Sequence, residues 1–533
     1  MNAPAQKVLI SDPVAPECLD VFKGVDGFVA DYKPGLKADE LLKVIGEYAG
    51  LIVRSETKVT GPVLEAAAKL RAVVRAGVGV DNIDVEAATR RGVLVMNCPS
   101  GNTVAAAEHT IAMMLSLARN IPQAHAALKA GKWERSKFVG AEIVDKTLAV
   151  IGLGKIGREV AWRATGLGMK VVGFDPFLTE EAAKTLKIET LPLDEIVKVA
   201  DFITVHVPLS DQTRNLLGAE KLAKMKPTVR LLNVARGGII DEAALAEAIK
   251  AGKIAGAALD VFEQEPPKPD NPLLALDRVV VTPHLGASTK EAQELVGTQS
   301  ATQILGYLRD GSVTSAVNMV AVDPALLRKV SAWQNLAEKI GVMHAQLLEG
   351  RVRRVMISYA GEVFGANERK LITLGVLKGF LSRFVDEPLN YVNASHFARQ
   401  HGLNFVEQTS TKSEDFVNLV SVTVETDAKS RRVAGTIFGE KQPRIVFLDG
   451  YDTDALPSGH MFLVSNNDTP GVIGKIGTLM GENRINIATM TVGRDASGGT
   501  ALAILNVDSP VPVEISKRLE QEPGIRWTRT IAL

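Results

Sequence analysis

The chain has 533 residues, of which 46% are hydrophobic and 23% are charged, an ordinary globular composition that excludes a disordered or fibrous chain. Its length exceeds what one hydrophobic core supports and predicts several domains. Its 61 basic side chains balance 61 acidic ones, so the net charge gives no reason to expect binding to nucleic acid or to an anionic membrane.

Cysteine usage and the N-terminus predict the compartment. Cys18 and Cys98 are the only cysteines, too few for a disulfide framework or a thiolate metal site, and we expect no metal. The first residues show no charged region followed by a long apolar stretch, and no apolar run reaches about 18 residues. We therefore expect a cytoplasmic protein without a transmembrane helix.

Short apolar runs alternate with helical patterns in the first hundred residues. The predicted strands are KVLIS (7–11), GFVAD (27–31), GLIVRS (50–55), RAVVRAG (71–77) and GVLVMN (92–97). Because runs buried on both faces and joined by helices are typical of parallel sheets, we predict an α/β lobe. A long helix should follow from Thr103 to about Asn120.

A second α/β series starts near residue 146. Its predicted strands are LAVIG (148–152), KVVGFD (170–175), FITVHVP (202–208), RLLNVA (230–235), IAGAALDVF (254–262) and VVVTP (279–283). A helix through STKEAQELVGTQ then carries the chain away. Two such lobes leave a cleft between them, and we expect its hinge near 98–102 and 286–318.

The pattern of predicted helices and strands changes after residue 320. A helical stretch and hairpin-like runs predict an α+β domain, and the last segment follows the ferredoxin-like order of strand, helix, two strands, helix and strand. The predicted fold is therefore α/β, with two Rossmann-like lobes followed by an α+β domain and a ferredoxin-like domain. The predicted domains are 1–100 plus 287–318 (the first lobe), 101–286 (the second lobe), 319–455 (the α+β domain) and 460–533 (the ferredoxin-like domain).

A glycine motif predicts the cofactor. Gly152, Gly154 and Gly157 form G-x-G-x-x-G after an apolar strand and before a helix, a context that makes a weak motif specific for a dinucleotide. Asp175 ends the next strand, 18 residues after Gly157. A carboxylate there accepts from ribose hydroxyls and repels a 2′-phosphate, which favours NAD over NADP.

Three polar side chains follow buried strands of the second lobe, where ligands gather in open α/β sheets. Arg236 suits a substrate carboxylate, His284 suits removal of a hydroxyl proton, and Glu265 suits support of that histidine. Taken singly, each could be a cap, an ion pair or a solvated charge. His109 and His125 fall in predicted helices, and no partner pattern accompanies His206, so we assign these three no role.

Five motifs carry a resemblance to a known family: RAGVGVDNID (75–84), GLGKIG (152–157), NVARGGIIDE (233–242), ALDVFEQEPP (258–267) and PHLGASTKEA (283–292). The chain resembles the D-isomer-specific 2-hydroxy-acid dehydrogenases in their long form. The resemblance implies that Arg236, Glu265 and His284 are the catalytic residues. It also implies NAD contacts at Val78, Lys155, Ile156, Asp175, Val207, Ala235, Asp260 and Gly286. The family often has a hydroxyl residue where Val78 and Val207 stand, so only backbone contact is expected at both.

The resemblance further implies oxidation of 3-phospho-D-glycerate to 3-phosphooxypyruvate, the entry to L-serine synthesis. The expected substrate residues are Arg54, Ser55, Arg75, Gly77, Asn102 and Arg135, because the glycine turn presents N–H groups and a phosphorylated acid needs cations. For each arginine, a solvated or structural charge is the alternative.

The tail resembles an ACT domain, a sensor of small ligands. Asn466, Asp468 and Asn486 flank its D-x-P-G turn and its second strand, and the resemblance implies an amino acid, L-serine, as feedback inhibitor. ACT domains pair across chains, so we expect a homo-oligomer, a tetramer, with the regulatory site at a subunit interface. A dimerisation module without ligand is the alternative.

Two other functions stay open at this point. One is a glyoxylate or hydroxypyruvate reductase of the same fold. The other is an NAD-sensing binding protein without turnover, against which the sensor-like tail argues.

Overall fold

The computed structural model describes residues 5–410, 415–439 and 441–533. Residues 1–4, 411–414 and 440, which fall in the predicted first and third domains, lie outside this description. The described chain forms four sheets whose strands fall within the four predicted domain ranges in turn. The boundaries themselves stay predictions.

The first sheet is fully parallel, with the order β2-β1-β3-β4-β5. Apart from the edge strand at 28–32, its strands are nearly all buried, which is why their sequences read as unbroken apolar runs. Its elements are β1 (Gln6–Ile10), α1 (Pro16–Asp20), β2 (Phe28–Tyr32), α2 (Ala38–Val44), β3 (Gly50–Val53), α3 (Gly61–Ala66), β4 (Ala72–Arg75), α4 (Val85–Arg90) and β5 (Leu94–Asn97).

Helices α5 (Thr103–Arg119) and α6 (Ile121–Lys129) lead to the second parallel sheet, ordered β12-β11-β10-β9-β6-β7-β8. The strand order reverses between β6 and β9, and ligands of open α/β sheets bind at such a point. The elements are β6 (Thr147–Ile151), α7 (Lys155–Gly166), β7 (Lys170–Phe174), α8 (Glu180–Leu186), β8 (Glu189–Thr190), α9 (Leu193–Val199), β9 (Phe202–Val205), α10 (Ala219–Ala223), β10 (Arg230–Asn233), α11 (Glu242–Lys250), β11 (Gly256–Leu259) and β12 (Val279–Val281). The sequence did not predict β8.

Helix α12 (Lys290–Asp310) returns the chain to the first sheet, where it packs on β3 and β4. A third sheet of six strands follows, ordered β14-β13-β15-β16-β17-β18 and antiparallel except for β13 with β14. Its elements are α13 (Pro324–Gln346), β13 (Val352–Ala360), α14 (Ala366–Leu381), α15 (Ala394–Gln400), β14 (Phe405–Ser410), β15 (Leu419–Thr426), β16 (Ser430–Phe438), β17 (Gln442–Leu448) and β18 (Tyr451–Ala455).

The last sheet is antiparallel, ordered β20-β21-β19-β22, and has the predicted ferredoxin-like succession. Its elements are β19 (His460–Asn467), α16 (Val472–Glu482), β20 (Ile487–Arg494), β21 (Thr500–Val507), α17 (Val513–Glu520) and β22 (Ile525–Ala532). The predicted fold class is confirmed. None of the described helices is both long and apolar enough to span a bilayer.

One hydrophobic core runs through three of the four sheets. It includes Ile10 of the first sheet, Ile304 of α12, Leu336 of α13, Val422 of the third sheet and Leu463 of the last. The second sheet is not part of it, because its two faces carry separate cores. The lobe that carries the glycine motif is thus packed independently of the other three units.

Candidate active site

The glycine turn lies between β6 and α7, at the reversal of strand order. Gly152 has φ +95°, and a Cβ there would overlap the carbonyl of His206. A Cβ on Gly157 would overlap the carbonyl of Gly152, because helix and strand pack too closely for a side chain. No described atom lies within 4 Å of a Cβ position on Gly154, the N-cap of α7. The helix N-terminus therefore opens onto space that fits the pyrophosphate of NAD.

Asp175 follows β7 and turns its carboxylate toward the glycine turn. Its Oδ2 accepts from the Leu153 amide at 2.9 Å, and its Oδ1 accepts from the Phe177 amide at 2.9 Å. Each oxygen keeps a second lone pair, which leaves acceptors for ribose hydroxyls.

The other residues expected to contact NAD line the same edge of the sheet or the facing lobe. Lys155 opens α7 and donates to Ser100 Oγ of the facing lobe, and Val207 approaches the glycine turn so closely that a Cβ on Gly152 would touch it. The Ala235 amide donates to Asn233 Oδ1 at 3.0 Å. Ile156 packs against the core beneath the turn, and the Val78 carbonyl, in the facing lobe, accepts from Asn97 Nδ2 at 2.5 Å.

His284 and Glu265 form a hydrogen-bonded pair after the last strands of the NAD sheet. His284 Nδ1 lies 2.7 Å from Glu265 Oε2, and Glu265 Oε1 accepts from the Phe262 amide at 3.1 Å. Burial alone would raise the pKa of Glu265, but the hydrogen bond and charge of His284 outweigh it, so the pKa is lowered. The carboxylate therefore stays charged against Nδ1, which leaves Nε2 for a substrate proton.

Arg236 reaches from the NAD lobe to the glycine turn of the first lobe. Its Nε donates to Asp81 Oδ2 at 3.0 Å and its Nη1 donates to the Ala235 carbonyl at 2.7 Å. Gly79 lies so close to Nη2 that a Cβ there would overlap it. Burial raises the pKa of Asp81, but the charge of Arg236 outweighs this and lowers it. The guanidinium thus lies against the glycine turn of the first lobe, where it can bind a carboxylate.

Asp260 is buried, with 1% of its surface exposed, and its carboxylate holds the turn that follows His284. Its Oδ1 accepts from the Leu285 amide at 2.7 Å and its Oδ2 accepts from the Gly286 amide at 2.9 Å. His109 Nε2 lies 3.2 Å from Oδ1. Burial raises the pKa of Asp260, but the bonds from His109, Thr282 and Leu285 outweigh it, so the group stays ionised.

Arg54 and Arg75 stand at the carboxyl ends of β3 and β4. Arg54 donates through Nη1 to the Pro13 carbonyl at 3.1 Å. Arg75 donates through Nε to the Arg54 carbonyl at 3.2 Å and through Nη1 to the Gly79 carbonyl, so it braces the glycine turn. Burial and the charge of Arg236 lower the pKa of Arg75 to about 10. Three guanidiniums, those of Arg54, Arg75 and Arg236, thus gather at this end of the cleft, and Asp81 pairs with one of them.

The remaining expected substrate residues differ in position. Gly77 lies in the turn, where a Cβ would contact Arg75. Asn102 caps α5, and its Oδ1 is buried without a hydrogen-bond partner among the described residues, as is Thr103 Oγ1. Ser55 is exposed beside Arg54. Orphaned acceptors at the lobe crossing fit a site that a ligand completes.

Arg135 does not join these residues within the described chain. It begins a 3-10 turn (Arg135–Phe138), is exposed, and makes no hydrogen bond or ion pair there. Any role at the phosphate would need movement or another subunit.

The structure separates the three expected regulatory residues. Asn466 is buried near the end of β19, and Asp468 just beyond it accepts from Arg494 Nη1 at 3.4 Å. Asn486 precedes β20 and donates to Asp508 Oδ2 at 2.8 Å. Because β19 and β20 both run antiparallel to β21, Asn486 lies at the opposite end of the sheet from Asp468. One chain alone does not bring them together.

Sequence reasoning missed four residues that position the site. Asp12 is buried and accepts from the Arg54 and Thr57 amides at 2.6 and 3.0 Å, which fixes the loop of Arg54. Asn233 Nδ2 donates to the Arg236 carbonyl at 2.8 Å. Asp81 and His109 complete the set. Only Asp81 and Asn233 lay inside motifs already singled out, which was the one available signal.

Fold and site together define an NAD-dependent oxidoreductase of the D-isomer-specific 2-hydroxy-acid dehydrogenase class. The model for the NAD-binding domain of that class matches residues 111–286. A D-3-phosphoglycerate dehydrogenase intervening domain matches 329–449, and an ACT domain matches 460–524. The chain belongs to the D-3-phosphoglycerate dehydrogenase family.

Its relatives support this over their whole length. D-3-phosphoglycerate dehydrogenase of Methanocaldococcus jannaschii is 44% identical over 528 residues, covering 99% of this chain and 100% of the relative. The enzyme of the same name from Archaeoglobus fulgidus is 43% identical, covering 97% and 98%. That of Bacillus subtilis is 43% identical, covering 99% of each.

Solved structures align with somewhat more than half of the chain. A Thermus thermophilus protein aligns with TM-score 0.54 and 33% identity over 58% of this chain and 100% of its own. A D-lactate dehydrogenase from Aquifex aeolicus, complexed with NAD and lactic acid, aligns with TM-score 0.52 and 27% identity over 57% and 96%. The predicted cofactor class is confirmed.

Proposed function

We propose that the chain oxidises 3-phospho-D-glycerate to 3-phosphooxypyruvate with NAD, the first step toward L-serine. One observation carries the proposal: the His284–Glu265 pair and the Arg236 guanidinium stand at the cleft edge where the glycine turn opens. The names of full-length relatives indicate which 2-hydroxy acid this site takes.

The residues divide the chemistry as follows. Arg236 binds the substrate carboxylate through its guanidinium, which lies against the Gly77–Gly79 turn. His284 Nε2 removes the proton of the C2 hydroxyl, and Glu265 stabilises the imidazolium that forms. The turn at Gly152, Gly154 and Gly157, together with Asp175, would hold NAD, which would supply the acceptor for the hydride that leaves C2. Closure of the lobes excludes water from these groups.

The phosphate end is proposed to lie among the cations of the first lobe. Arg54 is the best placed, because its loop is fixed by Asp12 and its side chain is only partly engaged. Arg75 acts mainly by bracing the Gly77–Gly79 turn of the first lobe. Asn102 and Ser55 offer neutral hydrogen bonds to the substrate. Arg135 would act only if it approached the cleft from a moved loop or another chain.

The test is NADH formation from 3-phosphoglycerate, compared with glyoxylate and hydroxypyruvate reduction. The wild-type chain should prefer the phosphorylated acid, and Arg54→Gln should reduce that preference while activity toward small acids persists. His284→Ala should abolish turnover without loss of NAD binding. Preference for glyoxylate would indicate a reductase of the same fold, and NAD binding without any turnover would indicate a sensing protein.

The regulatory proposal concerns the last domain. We propose that L-serine binds between paired ACT domains, where Asn466 and Asp468 of one chain meet Asn486 of another. The opposite positions of these residues on one sheet support a site shared between chains. Inhibition by L-serine that is lost in Asp468→Ala would support it, whereas unchanged inhibition would contradict it.

We also propose a homo-oligomer, with a tetramer as the expected size. A surface between α5 and α7 supports it, because an open hollow of about 640 Å³ there is lined by Ile111, Leu115, Leu167 and a Trp162 that is 71% exposed. Apolar surface of this kind marks an interaction site. Both cysteines are free and buried, which suits the proposed cytoplasmic location. Sedimentation of the wild-type chain and of Trp162→Glu checks the assembly.

A further inference from the structure

The imidazole of His109 lies at the candidate active site, and the proposed reaction does not use it. It lies on α5, the helix that follows the crossing between the lobes, and its side chain is 20% exposed. Its Nε2 lies 3.2 Å from Asp260 Oδ1 and 3.1 Å from Thr282 Oγ1. His109 therefore contacts the NAD sheet at the base of the turn that carries His284.

The neighbours of this imidazole fix its tautomer. Thr282 Oγ1 donates its single hydrogen to Asp260 Oδ1 at 2.5 Å, so its remaining capacity is to accept. Asp260 is ionised and can only accept. Both atoms facing Nε2 are thus acceptors, and His109 must carry a proton on Nε2 and donate it to them.

Asp260 in turn holds the catalytic turn. The amide of His284 donates to the Asp260 backbone carbonyl at 2.9 Å, and the amides of Leu285 and Gly286 donate to its carboxylate. His284 itself has φ +55°, a left-handed conformation that a residue with a side chain rarely adopts. Three consecutive amides bound by one aspartate keep the turn in this shape.

Helix α5 presents a matched surface to that turn. Ala106, His109 and Met113 share a face of the helix at spacings of three and four residues. A Cβ on Gly286 would lie 3.9 Å from Ala106 Cβ, and Thr282 Oγ1 lies 3.7 Å from Met113 Sδ. The contact is therefore a packed interface, in which His109 supplies the charge-assisted hydrogen bond.

We propose that His109 is a positioning residue: its Nε2 proton fixes the Asp260 carboxylate, which holds the left-handed His284 turn in register with α5. The inference rests on the proposed dehydrogenase function for its kinetic consequence only. Because α5 begins where the chain crosses between the lobes, the same bond ties the catalytic turn to the hinge.

A pair of amide substitutions tests this. The Nε2 of His109→Gln falls near the imidazole Nε2 and can donate to Asp260, whereas the amide of His109→Asn is too short. We expect kcat to fall about 10- to 100-fold in H109N, as for loss of a hydrogen bond to a charged group, and to recover to within about threefold of wild type in H109Q. The KM for 3-phosphoglycerate should change little, since no substrate contact is removed.

Two further readouts do not depend on the proposed reaction. Amide exchange of a peptide spanning 282–288, measured by mass spectrometry on the full chain, should accelerate in H109N and not in H109Q. NAD affinity, measured by titration without substrate, should fall in H109N, because Asp260 and Gly286 are expected to contact NAD. His125→Asn and His125→Gln, on the exposed face of α6, control for helix propensity.

The outcomes separate the alternatives. If H109N exchanges at the wild-type rate in 282–288 and keeps its NAD affinity, the proposal is wrong. If H109N and H109Q lose thermal stability and activity equally, His109 is a packing residue only, and the proposal is also wrong. If Thr282→Val weakens the same exchange protection non-additively with H109N, both residues act on one carboxylate, as proposed. Failure of the wild type to oxidise 3-phosphoglycerate would refute the proposed function and leave the exchange result to decide on His109.

Discussion

Replacing Glu265 by glutamine tests the catalytic pair most directly. The attraction that lowers the pKa of Glu265 is reciprocal, so the carboxylate stabilises the imidazolium formed when His284 takes the substrate proton. A hydrogen bond to a charged group is worth about 1.5–3 kcal/mol. The His284 and Glu265 side chains are 42% and 38% exposed, and solvent screening reduces this to about 1–2 kcal/mol. We therefore expect kcat/KM for 3-phosphoglycerate to fall about 5- to 30-fold.

The assay is initial NADH formation at saturating NAD, with the concentration of 3-phosphoglycerate varied. Glu263→Gln is the matched control, since that side chain lies two residues away and makes no bond to His284 among the described residues. A Glu265→Gln enzyme with kcat/KM within about twofold of wild type would refute the assigned role.

Three other predictions follow from particular contacts. Gly157→Ala should lower both thermal stability and NAD affinity, because the added Cβ would overlap the Gly152 carbonyl. Gly154→Ala should keep the melting temperature and weaken NAD binding alone, since its Cβ would meet no other described residue. Calorimetry and NAD titration compare the two variants. Asp175→Ala should lower the ratio of kcat/KM with NAD to that with NADP at least about tenfold, through loss of hydrogen bonds to ribose, and an unchanged ratio in steady-state assays would exclude that contact. Burial lowers the pKa of His344 from 6.5 to about 3, so the unfolded chain binds a proton at higher pH than the folded chain. The free energy of unfolding should therefore fall from about pH 6.5 toward 3, by up to about 1.4 kcal/mol per pH unit. In His344→Gln, the free energy of unfolding measured in urea should depend less on pH across that range.

The sequence carried the lobes well because their strands are buried on both faces. Short, unbroken apolar runs such as those at β3 and β10 are hard to read as anything but buried strands. The glycine motif predicted the exact position of the turn between β6 and α7. Strand β8 was missed because Glu189–Thr190 is short, exposed and polar, so no apolar pattern marks it.

The position of Arg236, Glu265 and His284 at one edge of the sheet was predictable, because parallel strands bring their carboxyl ends together. The residues that hold them in place were not predictable, because they come from distant positions. His109 precedes Asp260 by 151 residues and sits in a helix whose apolar pattern looks like ordinary core, and Asp12 reaches Arg54 across 42 residues. Hydrogen bonds of this range leave no periodicity in a sequence.

The three residues expected to be regulatory show that nearness in sequence does not ensure nearness in the fold. Asn466, Asp468 and Asn486 were grouped because they lie near turns of one small domain. Strand direction decides which turns share an end of the sheet, and the antiparallel register on both sides of β21 sends Asn486 to the far end. Composition and spacing do not encode that register.

The shared interior of the first, third and last sheets has a mechanical consequence. Side chains of α12 and α13 belong to this interior, which joins the last domain to the strands that precede Arg54 and Arg75. Close packing of this kind transmits strain. The NAD lobe, with its own two interiors, lies outside this shared interior. If L-serine binds the last domain, as proposed, this shared interior would connect its site to the first lobe, and the effector would act on the cleft without contacting the cofactor.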